Sequence, residues 1–141
     1  MAPADDAVVL DLRLADGTFL NLADFRGRPL LVFVFTTYDA GSQSVLLPLQ
    51  CLREQRPDVV QVGIAAQPSA RLLIPTYIDV IEPPFVTSYD PTGTVREGTS
   101  ALGPIPGVPA FLAIDARGSI RAHLLGFAEC DALVDLVDQA R

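Results

Sequence analysis

The chain has no lysine and no tryptophan, one methionine and one histidine, His123, among its 141 residues. All ten basic residues are arginines, set against seventeen carboxylates, for a formal charge of −7. Such a balance offers no basic face to neutralise phosphates, which argues against nucleic acid as a partner. The excess of carboxylates serves solubility, and arginine-only usage reads as a genomic bias rather than a mechanism. There are only two cysteines, Cys51 and Cys130, 79 positions apart. That is neither a CxxC nor a zinc spacing, and no metal is expected. Two readings stay open for them: small thiols filling the core, or a disulfide, if the fold brings them together in an oxidising compartment.

Long apolar runs are also missing. Half the residues are apolar and the mean hydropathy is +0.35, yet no run nears the ~20 residues that cross a bilayer. The longest, Pro29 to Phe35, has the length of a strand. The apolarity points instead to a sheet covered on both faces by helices. Met1–Asp6 is neither basic nor apolar, so no signal peptide is read. The chain is expected in the cytoplasm as written, or outside it if a leader has been removed. Residues 1–7 are expected to form a short or disordered tail, and residues 8–141 one domain.

Punctuation along the chain sets the element order. Val8, Leu10, Leu12 and Leu14 alternate as a strand does, and Asp16-Gly17 marks a hairpin turn. Leu22–Arg26 reads as a helical turn stopped by Gly27. Leu30–Phe35 is a buried strand. Ser42 or Ser44 is expected to cap a helix reaching about Gln55, kinked by Pro48. Val59–Ala65 is a second buried strand. Ala70–Ile81 has helical spacing, with Pro75 expected to split it and Pro83-Pro84 to end it. Phe85–Tyr89 reads as a short strand, and residues 93–108 as a Gly/Pro-rich surface loop with room for one helical turn. Ala110–Asp115 and Ile120–Leu125 read as an antiparallel pair, followed by a helix whose apolar face is Leu133, Leu136, Val137 and Ala140. The order hairpin, β-α-β-α-β, β-β-α predicts an α/β domain with a mixed central sheet.

Three segments carry a resemblance: Leu20-x-Leu22-x-Asp24-Phe25-x-Gly27-x-Pro29-Leu30, then Phe35-Thr36-Thr37-Tyr38, then Gly107-Val108-Pro109 running through Ile114-Asp115-Ala116-Arg117-Gly118. In that order and spacing the chain, from about Val8 to Arg141, resembles the redoxin group of thioredoxin-like proteins, of the TlpA and AhpC/TSA type. The resemblance implies a cis bond before Pro109, with the Val108 backbone beside it pairing with a bound polypeptide. Tyr38 and Ser42 are expected to supply hydrogen bonds in a shallow groove beside Val108-Pro109. It also implies a thiol-disulfide oxidoreductase or peroxidase, and here the chain departs from the pattern. Where the family has the two cysteines of CxxC, this chain has Asp39 and Ser42. A carboxylate and an alcohol cannot exchange with a disulfide.

Pro48 falls one position late for the TlpA pattern. A one-residue slip would place Tyr38 and Ser42 at a CxxxC spacing, like Sco-type copper chaperones. No cysteine stands at either position, and His123 lies on the following strand rather than near Val108, where that family has its copper ligand. Asp39 is expected to cap a helix rather than act as an acid or base, since no second carboxylate, histidine or lysine is placed to help it.

Three functions remain in view. The first is a redox-inactive module that keeps its groove for binding a polypeptide, without a cofactor. The second is a redoxin enzyme using Cys51 or Cys130 at an unusual place. The third is a structural domain that forms oligomers.

Overall fold

The computed structural model describes residues 7–141, so the first six residues of the expected tail lie outside the described residues. Among the described residues, seven strands form one mixed sheet: β1 (Asp11–Leu14), β2 (Phe19–Asn21), β3 (Leu30–Phe35), β4 (Val60–Ala65), β5 (Val86–Tyr89), β6 (Ala110–Ile114) and β7 (Ile120–Leu125). Among the same residues, five helices accompany them: α1 (Ala40–Ser44), α2 (Leu46–Gln55), α3 (Ala70–Ile81), α4 (Thr94–Glu97) and α5 (Cys130–Asp138), with a 3₁₀ turn at Leu22–Phe25.

The strand order across the sheet is β2-β1-β5-β4-β3-β6-β7. β3, β4 and β5 run parallel, while β6 lies antiparallel on the other side of β3. The two parallel crossovers step the same way along the sheet. Right-handed connections therefore put α2 and α3 on one face. α5 joins them there, with Leu133, Leu136 and Val137 packed in the same core as Leu49, Leu52 and Ile74. The opposite face is covered by the 3₁₀ turn, α4 and the segment that follows it, through Leu22, Val95 and Leu102. Helices do flank both faces, but the long ones share a side.

β3 is the axis of both cores, and all six of its residues are buried. Leu31, Phe33 and Phe35 face the long helices, while Leu30, Val32 and Val34 face the other side. Phe33 stacks between Phe35 and Phe111 at centroid distances of 5.1 and 5.2 Å, and the edge of Phe85 meets both Phe33 and Phe35. Gly63 of β4 makes room for this cluster, because a Cβ there would collide with the Phe85 ring.

Several local expectations are corrected. The strand expected from Val8 begins only at Asp11, although Val8 and Leu10 are buried. The helix expected from Ser42 or Ser44 starts at Ala40 and breaks at Val45. Pro48 is the cause. It has no N–H to give the Ser44 carbonyl, and its ring crowds that oxygen. The chain restarts at Leu46, so Pro48 sits in a first turn rather than kinking an interior. Pro75, expected to split α3, leaves it continuous. Its lost bond would have gone to the carbonyl of Arg71; both residues are exposed, which leaves that oxygen open to solvent.

Candidate functional site

The site lies where the chain changes direction across the sheet. From β3 the crossovers proceed to β4 and β5; the next strand, β6, returns to the far flank of β3. Such a switch point leaves a crevice beyond the carboxyl end of the central strand. Into it β3 delivers Thr36-Thr37-Tyr38-Asp39, and there β6 begins at Pro109. The Val108–Pro109 bond is cis.

Asp39 is the N-cap of α1, with extended backbone (φ −85°, ψ 124°). Its Oδ2 accepts from the Ser42 amide at 2.7 Å and from the Ser42 hydroxyl at 3.1 Å. The Thr36 amide donates to Ser42 Oγ at 3.4 Å. Ser42 is 2% exposed, so its hydroxyl is committed to the helix start and does not face the groove. The expectation that Ser42 would offer a hydrogen bond there is corrected. Tyr38, by contrast, is 71% exposed beside it.

Two residues of the site escaped the sequence reading. Gly41 lies against the proline: a Cβ at this position would come within 3.2 Å of Pro109 Cδ and 3.0 Å of Asp39 Oδ2. A side chain there would have to push its neighbours back by a few tenths of an ångström, so glycine favours the close approach of α1 to β6. Gln67, buried beyond the end of β4, accepts from the Thr37 amide at 2.6 Å and donates to Thr37 Oγ1 at 3.0 Å. This two-point clamp holds the Thr36–Asp39 turn. A buried glutamine after a strand had no pattern to mark it. On the other side, the Gly126 amide donates to the Pro109 carbonyl at 2.8 Å, tying the segment before α5 to the cis proline.

The cysteines are elsewhere, and the core-thiol reading is corrected. Cys51 in α2 and Cys130 at the start of α5 form a disulfide, with sulfurs 2.04 Å and Cα atoms 5.9 Å apart. Both are only partly buried. The Gln55 side-chain amide lies 3.3 Å from one sulfur and 3.6 Å from the other. Neither cysteine is free. The pairing arises because α2 and α5 pack together on one face, which the separation of 79 residues conceals. His123 is exposed on β7 opposite Leu112. Among the described residues, no three His, Cys, Asp or Glu side chains gather as a metal site would need.

No protein-family model matches the chain, and no curated protein sequence matches it. Solved structures do. Mycobacterium tuberculosis DsbF superposes with a TM-score of 0.76 at 18% identity, covering 94% of this chain and 95% of its own. The fold is thioredoxin-like. A secreted M. tuberculosis disulfide oxidoreductase homologous to E. coli DsbE gives 0.74 at 19% identity, over 96% and 98% of the two chains. The thioredoxin domain of a Bacteroides vulgatus thiol-disulfide oxidoreductase gives 0.76 at 16%, over 99% and 97%. At these identities the likeness is one of fold. The thioredoxin-like scaffold spans the described residues, with a hydrogen-bonded carboxylate and alcohol at the start of the helix that follows β3.

Proposed function

We propose that this chain is a thioredoxin-fold binding module that performs no thiol exchange at the switch-point crevice and holds an extended polypeptide along Val108–Pro109. One observation carries the reading. The start of α1, packed against the cis proline, is occupied by Asp39 and Ser42 locked to each other, while both sulfurs are joined elsewhere. Thiol exchange begins with an accessible thiolate, and this crevice holds none. The exposed Tyr38 ring and the backbone of Val108 remain free to serve binding. The disulfide fits a protein that works in an oxidising compartment.

The disulfide also favours a second reading, in which Cys51–Cys130 is itself the redox-active pair, partly exposed and with an amide donor at its sulfurs. Insulin reduction driven by dithiothreitol separates the two. The binding-module reading expects no rate above the uncatalysed background, for wild type and Cys51→Ala alike. Robust turnover that disappears in Cys51→Ala would replace it with the second reading.

Among the described residues, no helix is long and apolar enough to cross a membrane.

A further inference from the structure

Beside the Val108–Pro109 segment the surface opens into a cavity of about 470 Å³. Leu112 of β6 and His123 and Leu125 of β7 line one side of it; Leu102, Ile105 and Pro106, from the segment after α4, line the other. The register pairs Leu112 with His123 and Ala110 with Leu125, so these side chains share one face of the sheet. We propose that this cavity is the side-chain subsite of the groove, and that it takes a bulky apolar side chain from an extended, positively charged polypeptide. The inference rests on the groove reading above and adds the class of partner to it.

Continuity with the groove is the first support. Pro106 and Ala110, which both line the cavity, flank Gly107–Pro109 in the chain. A Cβ on Gly107 would sit 3.8 Å from Leu125 Cδ1. In an extended peptide, alternate side chains point the same way about 6.8 Å apart. A peptide paired with the Val108 backbone therefore brings the side chain two residues along to the cavity mouth.

The cavity's chemistry is the second support. Its volume falls in the ordinary range for ligand sites, roughly 300–1,000 Å³. Pro104 and Pro106 fix the backbone of one wall, so little ordering is needed on binding. Leu125, which lines it, is left 52% exposed.

Charge is the third. No carboxylate lines the cavity; its single titratable group is His123. The chain as a whole carries −7 and no lysine. An acidic protein with an apolar, carboxylate-free cavity matches a basic segment presenting an apolar side chain, and its net charge favours encounter with such a partner.

Fluorescence anisotropy with labelled nine-residue peptides tests this. The central residue is Leu, Phe or Ala, and the flanks are Arg or Glu. The Arg-flanked Leu and Phe peptides are expected to bind at least tenfold tighter than Ala, the scale of burying one large side chain. That preference should vanish in Leu125→Glu, with folding of the variant checked by circular dichroism, and persist in Leu72→Glu on the outer side of α3. If Leu, Phe and Ala bind equally, and methylating the peptide nitrogen opposite Val108 abolishes binding, the groove stands and the cavity proposal falls. If no peptide binds, groove and cavity fall together. Glu-flanked peptides binding as tightly as Arg-flanked ones would refute the charge assignment. Dimerisation in light scattering that Leu125→Glu abolishes, with no peptide bound, would give the cavity to a second copy and overturn the proposal.

Discussion

Breaking the Cys51–Cys130 disulfide is the most informative perturbation of stability. The bond closes a loop of 79 residues that contains β4, α3, β5, α4, β6 and β7. In the chain-entropy model such a crosslink removes about 15 cal/mol/K from the unfolded ensemble, or about 4.5 kcal/mol at 25 °C. A domain of this size has an unfolding free energy of about 5–15 kcal/mol, so the loss is about 30% or more of the total. With about 2.1 cal/mol/K of unfolding entropy per residue, the same loss lowers Tm by roughly 15 °C. Urea unfolding followed by circular dichroism, on the oxidised protein and on Cys51→Ala, Cys130→Ala and the double variant, reads the effect. All three variants should lose a similar amount, because removing either sulfur removes the whole crosslink. Their urea slope should rise, since the uncrosslinked unfolded chain exposes more surface. A loss under about 1 kcal/mol, or single variants whose losses add in the double, would refute the claim that closure of this loop is what the bond contributes.

Other expectations follow from single contacts. Asp39→Ala removes the cap of α1 and should cost about 1 kcal/mol in urea unfolding, while Asp39→Asn retains most of it. Gly63→Ala drives a methyl into the Phe85 ring and should destabilise by about 1–3 kcal/mol, read as a fall in Tm. Burial raises the pKa of Asp90, but bonds from the Val95 amide and from Thr92 and Thr94 outweigh it and hold the carboxyl below its ordinary 3.8. Its contribution is therefore complete above pH 3.8 and is lost as the pH falls through the lower folded value. Stability measured from pH 5 down to pH 2 should decline less steeply in Asp90→Asn than in wild type.

The central strand was legible because its pattern admits one environment. A six-residue run without a polar side chain, Leu30–Phe35, must be covered on both faces, and it is. The last helix was legible through the spacing of Leu133, Leu136, Val137 and Ala140, all of them buried. Asp16-Gly17 set the hairpin, with Gly17 at φ +87° and the Leu14 amide bonded to the Thr18 carbonyl. The absence of sulfur at positions 39 and 42 is also plain in the sequence. The consequences of the prolines were harder to read. Pro48 and Pro75 carry the same local penalty, and Ser44 and Arg71, whose carbonyls lose the bond, are both exposed, yet one proline marks a break and the other is absorbed.

What the amino-acid order alone determined was which segments are strands and helices, since burial periodicity and turn chemistry act within a few residues. It also determined that no thiol stands at the end of β3. Tertiary structure decided the rest, through contacts between residues far apart in the chain. Stacking α2 on α5 joined Cys51 to Cys130, the crossover to β6 laid Gly41 against Pro109, and β7 beside the segment after α4 enclosed the apolar cavity. Each is a meeting of surfaces, set by sheet order and by the handedness of the crossovers, and no local spacing encodes it.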